Sequence, residues 1–248
     1  MKHLKKFIFL FALATLSCDS EKITELNTAN VSFSFTHLVD GSPLVLDQIE
    51  YKNALNQEFS IKTVKYFISQ VTLYKEDNTT IDLTDIMYVD VRSPETLIHP
   101  SLEKIAVGNY SGISFILGLS PEENVSGRFT TPPESLMEWP LPMGGGYHYM
   151  KLEGEFKTPD EQSFFNFHSG MLGGTAYEIH INLSDLPFNV SNNGLHVQIN
   201  MEIQNWFNNP NDWDFSYFGP AIMGNPEAQE TVQENGQDVF SIEVIDGI

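Results

Sequence analysis

Residues 195–203 read Leu-His-Val-Gln-Ile-Asn-Met-Glu-Ile. In an extended chain successive side chains point to opposite faces, so Leu195, Val197, Ile199, Met201 and Ile203 share one face and His196, Gln198, Asn200 and Glu202 the other. Apolar residues with this period need a sheet that buries one face against a core. The same alternation sets Val31, Phe33 and Phe35 against Ser32, Ser34 and Thr36 near the other end of the chain. Further strand-like runs cover residues 59–61, 66–74, 87–91, 111–117, 147–156, 164–168, 177–183 and 239–245. Nine or ten short strands predict an all-β fold, a single antiparallel β-sandwich of the Ig or jelly-roll kind. One short C-terminal helix is predicted, with Asn225 as N-cap, Pro226 at its first position and Gly236 past its end. Residues 31–248 show no internal repeat and no Pro/Gly/Ser linker, so they are expected to form one domain.

Composition agrees with a packed β domain. Hydrophobic residues are 41% of the chain and aromatics 12%, enough for a core and too many for a disordered chain. Against 13 Lys+Arg stand 33 Asp+Glu, a formal net charge of -20. Such a surface repels polyphosphates and anionic headgroups, so nucleic acid is not an expected partner.

The first residues carry Lys2, Lys5 and Lys6, an apolar run over residues 7–16, then Ser17 and Cys18. That run is too short for a transmembrane helix, which needs about 20 apolar residues, and has the layout of a signal peptide. Thr15-Leu16-Ser17-Cys18 resembles a bacterial lipobox. The expected organisation is a lipoprotein signal peptide over residues 1–17, lipidation at Cys18, a flexible tether over 18–30 and the sandwich from 31. The expected location is the bacterial cell envelope at the outer membrane, periplasmic or surface-facing, with membrane contact through the lipid alone. Cys18 is the one cysteine, so once it is acylated no thiol is left for disulfides, thiolate metal sites or nucleophilic catalysis.

Signatures of catalysis are absent: the chain has no GxSxG, P-loop, HExxH or dinucleotide fingerprint. No catalytic residue is assigned, and the expectation is a protein that is not an enzyme. Gly144, Gly145 and Gly146 lack the lysine and helix start that cradle phosphate, and read as a tight turn. The oxygen-rich stretch over residues 208–214 reads as turn chemistry, with calcium as the alternative.

Histidine is more informative. By alternation His37 continues the apolar face of Val31, Phe33 and Phe35, and His148 shares a face with Met150 and Leu152. His180 and His196 alternate onto polar faces, His99 precedes Pro100 in a turn, and the parity of His168 is ambiguous. One inward histidine reads as a hydrogen-bonded core residue; several together read as ligands. Met137, Met143, Met150 and Met171 lie close in sequence to Trp139, His148 and His168. Imidazole suits copper and thioether sulfur favours Cu(I), although methionine also fills core gaps. Trp139 sits in the longest irregular stretch, residues 120–146, and loops of that length are usually functional or mobile.

Taken in order, Phe33-Ser34-Phe35-Thr36-His37, the run from Ala106 through Tyr110, Met137-Glu138-Trp139, Gly146-Tyr147, Lys151-Leu152-Glu153-Gly154 and Phe167-His168-Ser169-Gly170 resemble the MbnP-like family of bacterial copper-binding proteins. The resemblance implies a periplasmic or surface β-sandwich that holds copper through histidines and kynurenine, an oxidised tryptophan made by a partner dihaem enzyme. Carried over residue by residue, the implied metal candidates are His37, His168 and Trp139, with His148 as a further one, and Trp139 is the implied source of kynurenine. The family often shows Trp-x-Trp where this chain has Trp139-Pro140-Leu141. The function this implies is a non-enzymatic copper-binding lipoprotein that captures or buffers copper. The alternative is a metal-free sandwich that binds a glycan or protein partner through loop aromatics such as Trp139, Trp206 and Trp213.

Overall fold

The computed structural model describes residues 27–160 and 162–246. The signal peptide, Cys18 and most of the expected tether lie outside the described residues. These form fourteen strands: β1 (Thr28–Val39), β2 (Ser42–Pro43), β3 (Tyr51–Lys52), β4 (Glu58–Lys75), β5 (Thr80–Leu83), β6 (Met87–Asp90), β7 (Ile98–Ala106), β8 (Gly108–Leu117), β9 (Met150–Lys157), β10 (Gln162–Ser169), β11 (Ile179–Leu183), β12 (Phe188–Val190), β13 (Leu195–Glu202) and β14 (Phe240–Asp246). Two α-helices join them, the four-residue α1 (Phe215–Phe218) and α2 (Pro226–Asn235). Among the described residues no helix is long and apolar enough to cross a membrane.

Two sheets face each other. The smaller runs β14-β13-β1, with β2 and β7 also pairing β1; the larger runs β10-β9-β4-β8-β11, with β3, β5 and β6 on β4 and β12 on β8. All the ladders between these strands are antiparallel except β1 with β13, which run parallel from Val31 opposite Leu195 to Leu38 opposite Glu202. The two stretches with the clearest alternation are therefore neighbours. Val31, Phe33 and Phe35 stand beside Val197, Ile199 and Met201 in the core, facing Ile61, Val64, Tyr66 and Leu152 of the larger sheet. Helix α2 has the expected caps: the Asn225 side chain accepts from Ala228 N–H, Pro226 opens the helix and Gly236 follows it.

Four local expectations change. Strand β1 starts at Thr28, three residues into the expected tether. Residues 59–61 and 66–74 are parts of one 18-residue strand, because a bulge between Ile61 and Thr63 absorbs the break in alternation. His99 is not in a turn: it lies in β7 opposite Phe33, and its Nε2 sits 2.9 Å from the Tyr88 carbonyl. Trp206 and Trp213 are fully buried, so neither offers a surface platform for a glycan.

Residues 120–146 fold back on the outer face of the larger sheet. There a second, smaller core packs Met137, Tyr147 and Leu119 with Phe67, Tyr88 and Tyr149. Polar contacts pin the segment: Asn124 Oδ1 accepts from Tyr147 N–H at 2.7 Å, Ser126 Oγ from Gly146 N–H at 2.7 Å, and Tyr147 Oη from Phe129 N–H at 2.8 Å. Gly146, at φ +80°, is required, since a Cβ there would stand 2.3 Å from Asn124 Oδ1. This cap over the sheet creates the site.

Candidate metal centre

Trp139 enters the cap on the hydrogen bond from its N–H to the Gly146 carbonyl (2.9 Å) and is 2% exposed. Its six-membered ring lies against Gly170, just past the end of β10, where a Cβ would come within 2.7 Å of the indole. Only glycine leaves the indole this seat. The ring of His148 packs on the indole with centroids 4.8 Å apart and planes at 76°. On its other side His148 meets His168, with centroids 5.0 Å apart and planes at 85°. The three rings thus form a continuous row.

Each imidazole is tied at one nitrogen. His148 Nδ1 sits 2.9 Å from the Met137 carbonyl oxygen. A carbonyl only accepts, so Nδ1 carries the hydrogen and the neutral ring holds its lone pair at Nε2. Burial first, then the Lys151 charge, lowers the His148 pKa to about 3, so the ring is neutral at ordinary pH. His168 Nε2 sits 2.7 Å from Glu153 Oε1. The hydrogen bond from His168 lowers the Glu153 carboxyl to about 2, so the carboxylate accepts the hydrogen on Nε2 and Nδ1 is the ring's remaining nitrogen. That Nδ1 is buried and has no hydrogen-bond partner, and Trp139 Nε1 is buried and unpartnered as well. A buried imidazole nitrogen without a partner is costly unless something occupies its lone pair. A carbonyl or carboxylate fixing the far nitrogen of each ring is also the arrangement that orients imidazoles toward a metal.

These residues fit a soft ion of low coordination number. Among the described residues no three His, Cys, Asp or Glu side chains converge as a metal-binding group. Imidazole nitrogen is a ligand type that suits copper.

Of the four residues named from sequence, Trp139, His148 and His168 are brought together and His37 is set apart. His37 Nε2 lies 3.0 Å from the Tyr66 hydroxyl in the main core, and its ring packs against that tyrosine. Burial lowers its pKa to about 4. His148 does not share the face of Met150 as alternation suggested: β9 begins only at Met150, and His148 packs on His168, whose strand partner is Lys151. His180 is exposed at the surface, and His196 lies on the outer face of the smaller sheet between Ser32 Oγ and Ser34 Oγ, each 2.8 Å away.

Sequence reasoning missed two supporting residues. Glu153 orients His168, and the β9–β10 register, with Lys151 opposite His168, puts both on the outer face. Gln229, fully buried on α2, donates to the His168 carbonyl (2.8 Å) and accepts from Gly170 N–H (3.2 Å). Glutamine at a helical position facing a core is a signal that could have been read, since a buried amide needs partners.

Comparison with known proteins follows the same lines. The MbnP family model matches residues 28–223. No curated protein matches the chain. Among solved structures, MbnP from Methylosinus trichosporium is similar to it with a TM-score of 0.56 at 13% identity, over 88% of this chain and 99% of that one. At that identity the likeness is one of fold.

Proposed function

Because the chain belongs to the MbnP family, we propose that it is a non-enzymatic copper-binding lipoprotein of the cell envelope, in which His148 and His168 hold the ion and Trp139 closes the site. The observation that carries this reading is the pair of touching imidazoles, each tied at one nitrogen, with the remaining Nδ1 of His168 buried and unpartnered. Bound copper would be a soft, redox-active cation on those nitrogens. The chain's own contribution is to keep His148 neutral by burial, to turn His168 with Glu153, and to exclude water with Trp139 and the cap.

Kynurenine at Trp139 belongs to the same proposal, made by a dihaem partner enzyme. Trp139 Nε1 is an N–H with no acceptor and no lone pair to share; opening the indole turns it into an aromatic amine, a usable donor. Anchoring through Cys18 and an outer-membrane location complete it.

Copper content of protein purified from its native host, read with the mass of the Trp139 peptide, tests the proposal. His148→Ala or His168→Ala should abolish bound copper, while His180→Ala and His196→Ala should retain it. Equal loss from all four, or retention in the His148 and His168 variants, would overturn the assignment. Copper with an unmodified Trp139 peptide would reject kynurenine and leave the imidazoles standing.

A further inference from the structure

Seven of the 8 methionines lie in the described residues, and they divide sharply. Met87, Met137, Met150 and Met201 are at most 2% exposed and fill the two cores. Met143, Met171 and Met223 are only half-buried. Gap-filling accounts for the first group, whereas the second is only partly enclosed by the fold.

The half-buried three gather at one place, at the rim of the cap next to the seat of Trp139. Met171 follows Gly170, the residue on which the Trp139 ring rests. Its Sδ lies 3.2 Å from where a Cβ of Gly144 would stand, and Gly144 follows Met143. The Met143 carbonyl accepts from Gly173 N–H at 3.2 Å, tying the turn after β10 to the cap. The Met143 methyl lies 3.9 Å from the corresponding Cβ position of Gly224, the neighbour of Met223. Three loops distant in sequence thus bring Met143, Met171 and Met223 into one neighbourhood.

We propose that Met143 and Met171, with Met223 beside them, form a second binding site for a soft monovalent cation, Cu(I) or its surrogate Ag(I), next to the seat of Trp139. Thioether sulfur binds such ions in preference to harder cations, and the site needs no deprotonation to be ready. A chain of net charge -20 also draws cations to its surface. The role assigned, first capture ahead of the imidazoles, rests on the copper reading above; the binding of the cation by the thioethers does not.

Titration of the folded protein, labelled with 13C at the methionine methyls, with silver nitrate tests this. Single Met→Leu substitutions assign the signals, and leucine keeps the side-chain volume so that folding is preserved. The expected result is that the Met143, Met171 and Met223 methyls shift within the first equivalents of Ag(I), whereas Met87 and Met201 stay in place. The same shifts are expected in the His148→Ala/His168→Ala protein, and the triple Leu variant should lose one bound equivalent while keeping the imidazole-dependent one. Unmoved rim methyls, or rim shifts that vanish with the two histidines, would overturn the second site. A double-histidine variant that binds as much Ag(I) as the parent, with the rim shifts intact, would sink the imidazole reading and leave this one standing.

Discussion

The hydrogen that Gly170 carries in place of a side chain decides where the indole of Trp139 sits, and the carbonyl of Met137 decides which nitrogen of His148 is available. Neither was readable from residue type. The presence of histidines near Trp139 was legible in sequence; their protonation was not, because it depends on burial. That burial has a measurable consequence. His37 and His148 take up a proton near pH 6.5 when unfolded but only near 4 and 3 when folded. A folded pKa below the unfolded one means that the unfolded state binds more protons as pH falls, so stability drops on acidification and recovers as pH rises to about 6.5. Around pH 5.5, above the range where most carboxylates titrate, each histidine should contribute a slope approaching about 1.4 kcal/mol per pH unit. Urea unfolding across this window should show the sum, and His37→Gln should remove about half of it. An unchanged slope in that variant would show that His37 is not a buried neutral group.

At the scale of elements, α2 was legible from its caps, since Asn225, Pro226 and Gly236 satisfy or avoid the backbone groups that a helix end leaves unpaired. Its role was not legible, because what it braces comes from a strand about sixty residues away in sequence. Gln229 holds the end of β10 through the His168 carbonyl and the Gly170 amide. Gln229→Leu keeps the volume but leaves both groups buried and unpaired, at a cost of about 3 kcal/mol. Its urea midpoint should fall accordingly, and copper occupancy should fall with it, because His168 and the seat of Trp139 lose their brace. A full loss of stability with unchanged copper would separate the helix from the site. Strand β4 was the least legible element: its bulges break the two-residue period, and only pairing with β9 and β8 shows that the strand continues.

For the whole molecule, a formal net charge of -20 makes the folded state self-repelling. Raising ionic strength from about 10 mM to about 150 mM shortens the Debye length from roughly 30 Å to 8 Å, so the melting temperature should rise over this range in sodium chloride. A fall would mean that specific ion pairs outweigh the net repulsion. The ion pairs of Lys62 with Glu155 and of Arg92 with Asp47 are substantially exposed and contribute little each. The sequence by itself determined the all-β class, the two best-patterned strands and the C-terminal helix, because these follow from side-chain period and capping chemistry within short windows of chain. Tertiary structure alone decided that β1 and β13 run parallel, that His37 lies apart in the main core, that Trp139, His148 and His168 form one row, and that three methionines share a rim. Those outcomes depend on which distant segments pack together and on which face each residue falls once bulges and strand ends shift the alternation, and neither is encoded in any local period.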